Sequence, residues 1–176
     1  MGGFEAGFPS HWQCVGHSEI DRFAASIYHY HFAHHNHGDI TTLDLTSLPD
    51  FELLCGGFPC QSFSNYGHRK GFRDPRGQVF FHLARVIKAK KPRWLLLENV
   101  KSLVFHDRGK TFQTILETLL ALGYCVEWKV LDSQDFEVPQ SRERVFLVGH
   151  LGRPTKQSVF FDPAAARRSH ARIQVP

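Results

Sequence analysis

Four apolar residues in succession, Trp94-Leu95-Leu96-Leu97, lie between Pro92 and the polar pair Glu98-Asn99. A run this short, with a helix-breaking proline before it and an acid after it, reads as a buried β-strand. Such strands belong to sheets covered by helices, so the neighbouring segments decide the fold class. Phe51-Glu52-Leu53-Leu54-Cys55 is a second strand-like stretch, stopped by Gly56-Gly57 and then by Pro59. Cys14 to Glu19 reads as a short strand ending in an acid, and Val126 to Leu131 with Val145 to Val148 reads as a pair of strands around a turn containing Pro139.

Helical patterns fall between these stretches. Asp21 is a good N-cap for Arg22 to His31, where Phe23, Ala24, Ile27 and Tyr28 recur at helical spacing. Val79, Phe80, Leu83, Val86 and Ile87 form an apolar stripe running into Lys88, Lys90 and Lys91, cations that suit a helix C-terminus. Thr111 to Leu122 places Phe112, Ile115, Leu116, Leu119 and Leu120 on an apolar side and stops at Gly123. Interleaved strands and helices predict an open α/β sheet with helices on both faces, an architecture that holds ligands beyond the carboxyl ends of its strands.

Composition narrows the function classes. With 176 residues, 42% of them hydrophobic and 22% charged, the chain is the size of one folded domain. We expect residues 1–150 to form the core and 151–176 a poorly ordered tail, because Pro154 to Pro176 shows no core pattern. No apolar run approaches the roughly 20 residues of a membrane span, and the opening MGGFEAGFPS lacks the regions of a secretory signal, so a cytoplasmic location is the default. Lys and Arg outnumber Asp and Glu by 21 to 17, an excess that permits nucleic-acid binding. The four cysteines form no Cys-x-x-Cys pair and read as reduced thiols. Cys14 and Cys125 fit the small buried hydrophobe that a free cysteine commonly is, and Cys55 fits strand core. His29, His31, His34, His35 and His37 invite a metal-site reading, but no acid or cysteine completes a ligand pattern and a polar helix end accounts for them. No metal is expected.

Three segments fall where such a sheet builds its site: Gly56-Gly57-Phe58-Pro59-Cys60-Gln61-Ser62-Phe63-Ser64, Glu98-Asn99-Val100, and Gln140-Ser141-Arg142-Glu143-Arg144. Cys60 is flanked by proline and polar residues, a setting for a partly exposed, ionised thiol. An acid closing an apolar strand, as Glu98 does, is costly unless it is used, paired or caps the next helix. Arg142 and Arg144 alternate, so an extended segment projects both to one face.

Together these segments, with Gly71-Phe72-Arg73-Asp74-Pro75-Arg76-Gly77 between them, resemble the DNA cytosine-5 methyltransferase family over about Gly2 to Gly149. The resemblance implies a Rossmann-like methyltransferase fold with a mixed, mostly parallel sheet. It implies transfer of a methyl group from S-adenosyl-L-methionine to C5 of cytosine in double-stranded DNA, as in restriction-modification or bacterial housekeeping systems. In that reading Cys60 adds to C6 of a flipped base, Glu98 contacts N3 and the exocyclic amine, Arg142 contacts O2, and Arg144 helps fix the constellation. Gln61, Asn99 and Gln140 support it. Glu19 takes the ribose hydroxyls of the cofactor, Ile20 packs on its adenine and Asp39 meets the adenine amine, with Gly2, Gly3, Ile40, Pro59 and Val79 completing the pocket. Ser62, Ser64, Arg69, Lys70, Arg73 and Arg76 belong to a cationic loop that contacts DNA phosphates.

The chain also departs from the family pattern. Members begin with a strand feeding Asp-x-Phe-x-Gly-x-Gly-Gly, of which Gly2-Gly3 matches the final pair, and beyond Gly149 they continue into a target-recognition domain and a C-terminal segment. We therefore expect a core truncated at both ends that binds S-adenosylmethionine weakly or not at all. The alternatives are a non-catalytic remnant or subunit that needs a second polypeptide, and an enzyme acting on RNA, since nothing in the sequence reads a 2′-hydroxyl.

Overall fold

The computed structural model describes residues 2–59, 78–152 and 158–160. The chain divides into two compact units, Met1–Phe51 and Glu52–Pro176.

In the second unit the apolar runs become a four-stranded mixed sheet: β1 (Leu53–Gly57), β2 (Trp94–Val100), β3 (Tyr124–Asp132) and β4 (Glu143–Leu151), in the order β1-β2-β4-β3. β1 and β2 run parallel; β4 lies antiparallel to β2 and to β3. Alternation is visible along β2, where Leu95 and Leu97 are buried and the residues between them are half-buried. The run Trp94 to Leu97 is thus the spine of the sheet, paired on both sides. β1 begins later than the apolar pattern suggested and continues through Gly56 and Gly57, which pair with Leu97 and Glu98. Those glycines extend the strand instead of ending it.

Helices α3 (Val79–Lys90) and α4 (Lys110–Ala121) follow the stripes read from the sequence. Phe80, Leu83, Val86 and Ile87 are buried on α3, and Phe112, Ile115 and Leu119 on α4. Leu120, assigned to the apolar side of α4, is 66% exposed, because it sits one residue past the buried Leu119 and the helix turns it outward. Lys91 closes α3 in a left-handed conformation, and Gly123 follows α4 at φ +93°. Two short 3-10 turns within Lys101–Gly109, interrupted at His106 to Arg108, were not legible as a periodic pattern. Of the expected tail, Ser158 and Val159 both donate to the Glu127 carboxylate on β3.

The first unit carries α1 (Gly3–Gly7) and α2 (Arg22–Phe32). Asp21 caps α2 as expected, its Oδ1 accepting from the N–H groups of Phe23 and Ala24. Of the apolar residues on α2, Tyr28 is buried while Phe23 and Ile27 are exposed. The strand expected over Cys14 to Glu19 is absent, and a single parallel bridge between His17 and Asn36 stands in its place. One bridge gives that segment too few ladder bonds to become a strand. No described helix is long and apolar enough to cross a membrane.

Candidate active site

The carboxyl ends of β1 and β2 and the start of β4 meet at one place. Parallel pairing sets Gly57 opposite Glu98, and the antiparallel ladder sets Val100 opposite Arg144. Glu98 and Arg144 form an ion pair, with Arg144 Nε 2.9 Å from Glu98 Oε1. Both side chains keep about a quarter of their surface open to solvent, at 27% for Glu98 and 21% for Arg144. Glu98 is therefore paired across the sheet, and the 3-10 turn that follows has Val100 at its N-cap with no side-chain cap. Gly57 faces this carboxylate closely: a Cβ there would lie 3.3 Å from Glu98 Oε2.

Asn99 is buried and bonded through both ends of its amide. Its Nδ2 donates to the Phe58 carbonyl (3.1 Å) and its Oδ1 accepts from the Val100 N–H (2.9 Å). That pair of bonds locks the end of β2 to the backbone leaving β1, one residue before Pro59, which is half-buried and directly precedes Cys60. Arg142 lies just before β4 with its side chain exposed, and its N–H donates to Asp132 Oδ1 at 2.9 Å. Beside it, Glu143 pairs with Lys101 at 2.7 Å. Gln140 is exposed on the same loop, its carbonyl accepting from the Ser133 hydroxyl. Val79 opens α3, half-buried.

Of the expected cofactor residues, Pro59 and Val79 lie in the second unit and Gly2, Gly3, Glu19, Ile20, Asp39 and Ile40 in the first. Asn36 joins Glu19 to Gly38, the residue before Asp39: its Oδ1 accepts from the N–H groups of Glu19 (3.1 Å) and Gly38 (2.9 Å) while Nδ2 donates to the Glu19 carbonyl (3.0 Å). Glu19 Oε1 accepts from the Asp21 N–H, and Asp39 Oδ1 from the Thr41 N–H. Ile20 is 74% exposed and Ile40 half-buried. Gly2 precedes α1 at φ +70°, where a Cβ would lie 2.2 Å from the Phe32 ring, so only glycine permits this approach of α1 to α2. Gly3 opens the helix itself. The same unit holds a polar hub: the Tyr28 hydroxyl donates to Glu5 Oε1 (2.5 Å) and lies 3.0 Å from His34 Nδ1. Burial, reinforced by the hydrogen bonds to Glu5 and Cys14, pushes the Tyr28 hydroxyl well above its ordinary value. His17 stacks on Tyr28 with ring centroids 3.9 Å apart, and burial holds its imidazole below the usual histidine value.

Cys60, Gln61, Ser62, Ser64, Arg69, Lys70, Arg73 and Arg76 lie outside the described residues. Cys14, Cys55 and Cys125, expected in the core, are each half-buried free thiols. Cys14 and Cys125 sit in polar contacts, with Cys14 against the Gly16 carbonyl and the Tyr28 hydroxyl and Cys125 against the Gly152 carbonyl. Among the histidines, His35 and His37 pack edge to face.

Comparison with known proteins settles the family. The profile of C-5 cytosine-specific DNA methylases matches residues 1–172. The chain belongs to that family. Among its relatives, the type II methyltransferase M1.ScrFI of Lactococcus lactis subsp. cremoris is 52% identical over 132 residues, which cover 75% of this chain and 34% of the relative. The type II methyltransferase M.DsaV of Dactylococcopsis salina is 45% identical over 151 residues, covering 86% and 43% respectively. The chain thus spans roughly a third to a half of the length of these curated relatives. A solved Entamoeba histolytica methyltransferase, EhMeth, shares the fold with a TM-score of 0.66 at 22% identity, over 80% of this chain and 45% of its own. The S. pombe Dnmt2 methyltransferase aligns with a TM-score of 0.63 at 24% identity, over 84% of this chain and 46% of its own.

In this C-5 cytosine-specific DNA methylase chain, three contributors to the site escaped the sequence reading. Gly57 reads as a strand stop, and its close approach to Glu98 depends on register. Asn36 lies in a run of histidines, so nothing in its neighbours marks it as the link between Glu19 and Gly38. The Lys101–Glu143 pair joins residues 42 positions apart, a separation that no local pattern spans.

Proposed function

We propose that this chain is the catalytic core, residues 1–150, of an enzyme that methylates C5 of cytosine in DNA through a covalent bond between Cys60 and C6. The observation that carries the proposal is the Glu98–Arg144 ion pair at the strand ends, set beside Gly57 on the strand that leads to Pro59 and Cys60. An acid fixed by a guanidinium at the mouth of a sheet is a preorganised partner for a polar base edge.

In the proposed reaction a cytosine is flipped out of the duplex, since C6 is unreachable within the stack. The Cys60 thiolate forms the S–C6 bond, and the displaced C5–C6 electron pair makes C5 nucleophilic. Glu98 meets N3 and the exocyclic amine and favours protonation at N3 as the thiolate adds. Arg144 holds that carboxylate in place, and Arg142 donates to O2. S-adenosylmethionine, when bound, supplies the methyl group from a sulfonium that leaves as a neutral thioether. N3 then gives its proton back, the C5 proton departs to a base with its electron pair restoring the C5–C6 double bond, and the S–C6 bond breaks with its electron pair returning to Cys60.

The first unit fits the cofactor by the chemistry of its groups. Glu19 and Asp39 offer carboxylates to ribose hydroxyls and an adenine amine, and the exposed Ile20 offers an apolar surface to the adenine ring. Ser62, Ser64, Arg69, Lys70, Arg73 and Arg76 supply phosphate contacts whose strength falls with salt.

A second reading, that the enzyme needs a separate polypeptide, is favoured by β1 standing at the end of the described sheet. An end strand offers backbone groups to a pairing segment.

Incubation with a duplex containing 5-fluorocytosine tests the proposal, because fluorine at C5 cannot leave as a proton and the S–C6 bond persists. We expect a shifted band on a denaturing gel that requires S-adenosylmethionine and disappears in Cys60→Ser. A band that survives in Cys60→Ser overturns the reading, as does its absence with folded, cofactor-bound protein.

A further inference from the structure

Of the described residues proposed to contact the base, Glu98 is carried on a strand and Arg142 on a loop, and what fixes that loop is visible. Residues 133–142 connect β3 to β4, and the ladder between those strands closes at Asp132 and Glu143. Asp132, the last residue of β3, turns its carboxylate into the loop and accepts from both ends of it. Oδ1 accepts from the Gln134 N–H (3.1 Å) and the Arg142 N–H (2.9 Å), and Oδ2 from the Ser141 hydroxyl (2.7 Å). Ser133 adds a second tie, its N–H donating to the Arg142 carbonyl and its hydroxyl to the Gln140 carbonyl. Asp132 thus bonds the residue carrying the guanidinium and the residue before it, and anchors them to a strand.

We propose that Asp132 is a positioning residue for the methyl-transfer reaction, acting through Arg142 and resting on the reading of Arg142 as the group that meets cytosine O2. The loop needs such an anchor because its own apolar residues do not supply one: Phe136 and Val138 are exposed, so no packing of these side chains holds the span from Ser133 to Arg142. Without the carboxylate, the Gln134 and Arg142 N–H groups and the Ser141 hydroxyl turn to water, and Arg142 is tied to the turn only by its carbonyl, which accepts from the Ser133 N–H. A displacement of about 1 Å in a group that orients the substrate costs roughly 100-fold in rate. The hydrogen bonds from Gln134, Ser141 and Arg142 hold the Asp132 carboxyl below its ordinary range, so the anchor is ionised throughout the neutral region.

The geometry also specifies which replacement works. An asparagine at 132 keeps an oxygen to accept from the two backbone N–H groups and turns its amide to donate to Ser141, whose hydroxyl rotates to accept. An alanine keeps none of these bonds.

The test compares Asp132→Ala, Asp132→Asn, Arg142→Ala and the double variant Asp132→Ala with Arg142→Ala, by adduct formation on 5-fluorocytosine DNA and by amide exchange. We expect Asp132→Ala to slow adduct formation by roughly 10- to 100-fold, Asp132→Asn to recover most of that loss, and the double variant to be no slower than Arg142→Ala. Additive losses in the double variant, or no recovery in Asp132→Asn, overturn the proposal. Exchange reads the anchor without catalysis: in Asp132→Ala the Gln134 and Arg142 amides lose protection while those of Val145 and Leu147 in β4 keep theirs. Unchanged protection at Gln134 and Arg142 also overturns the proposal, whereas a parent chain that forms no adduct contradicts the methyltransferase reading and leaves the exchange result to judge Asp132.

Discussion

The two units are held together by different forces. In the second, Phe80, Ile87, Leu95, Leu97, Leu103, Ile115, Leu119 and Leu147 are almost wholly buried around a hydrogen-bonded sheet. In the first, Tyr28 and Leu48 are the buried hydrophobic residues among those described, while Phe23, Ile27 and Tyr30 face solvent. Its order comes from side chains bonded to backbone, through Asp21, Asn36, Asp39 and Asp44. Each such bond contributes about 1 kcal/mol net, whereas a buried leucine contributes several times that. Glu98 and Arg144 therefore stand on a rigid support, and Glu19, Ile20 and Asp39 on one that opens more easily.

The comparison breaks first on the apolar core. Leu97→Ala should cost about 2–5 kcal/mol by urea denaturation, because its side chain is wholly buried on the central strand. Ile27→Ala on α2 should cost within about 0.5 kcal/mol. Equal costs would show that the first unit has a core of its own strength. Next in size is Asn99→Ala, which leaves the buried Phe58 carbonyl without its donor and should cost about 1–3 kcal/mol. Its effect on adduct formation should exceed that of a leucine-to-valine change of similar stability cost elsewhere in the sheet. Asn36→Ala removes three exposed bonds whose backbone partners turn to water, so the total cost should be about 1 kcal/mol, below the sum of three separate bonds. It should weaken S-adenosylmethionine binding in calorimetry while amide protection along β2 stays unchanged.

The smallest expected effect is one of pH. Burial lowers the His17 value below 6.5, and His37 is lowered likewise by burial and by His35. A base whose value is depressed on folding lends stability that is fully present above its unfolded value and is lost as the pH falls below it. Asp132 is depressed below 3.8, so its contribution persists until far more acidic conditions. Between pH 7.5 and about 5.5, amides of the first unit should lose protection while those of Gln134 and Arg142 keep it. Parallel loss in both units would contradict the division.

Much of the second unit was legible because burial imposes periodicity. The apolar run Trp94 to Leu97 and the stripes of α3 and α4 write the core directly into the sequence. The first unit was legible at α2, where the Asp21 cap and the helical spacing after it are local rules. The expected strand at Cys14 to Glu19 failed because apolar content alone does not provide a pairing partner. In the site, the chemistry of Glu98 and Arg144 could be read in advance, but their contact rests on the register of β2 with β4. Asp132 reads locally as one more polar loop residue, and its importance lies in bonds to residues nine and ten positions away.

Peptide mapping of the product trapped on 5-fluorocytosine DNA shows which thiol attacks the base. The base should lie on the peptide containing Cys60, with the sulfur joined to C6 and the yield falling sharply in Glu98→Gln. A base joined to Cys14, Cys55 or Cys125, or a full yield in Glu98→Gln, would contradict the proposed chemistry.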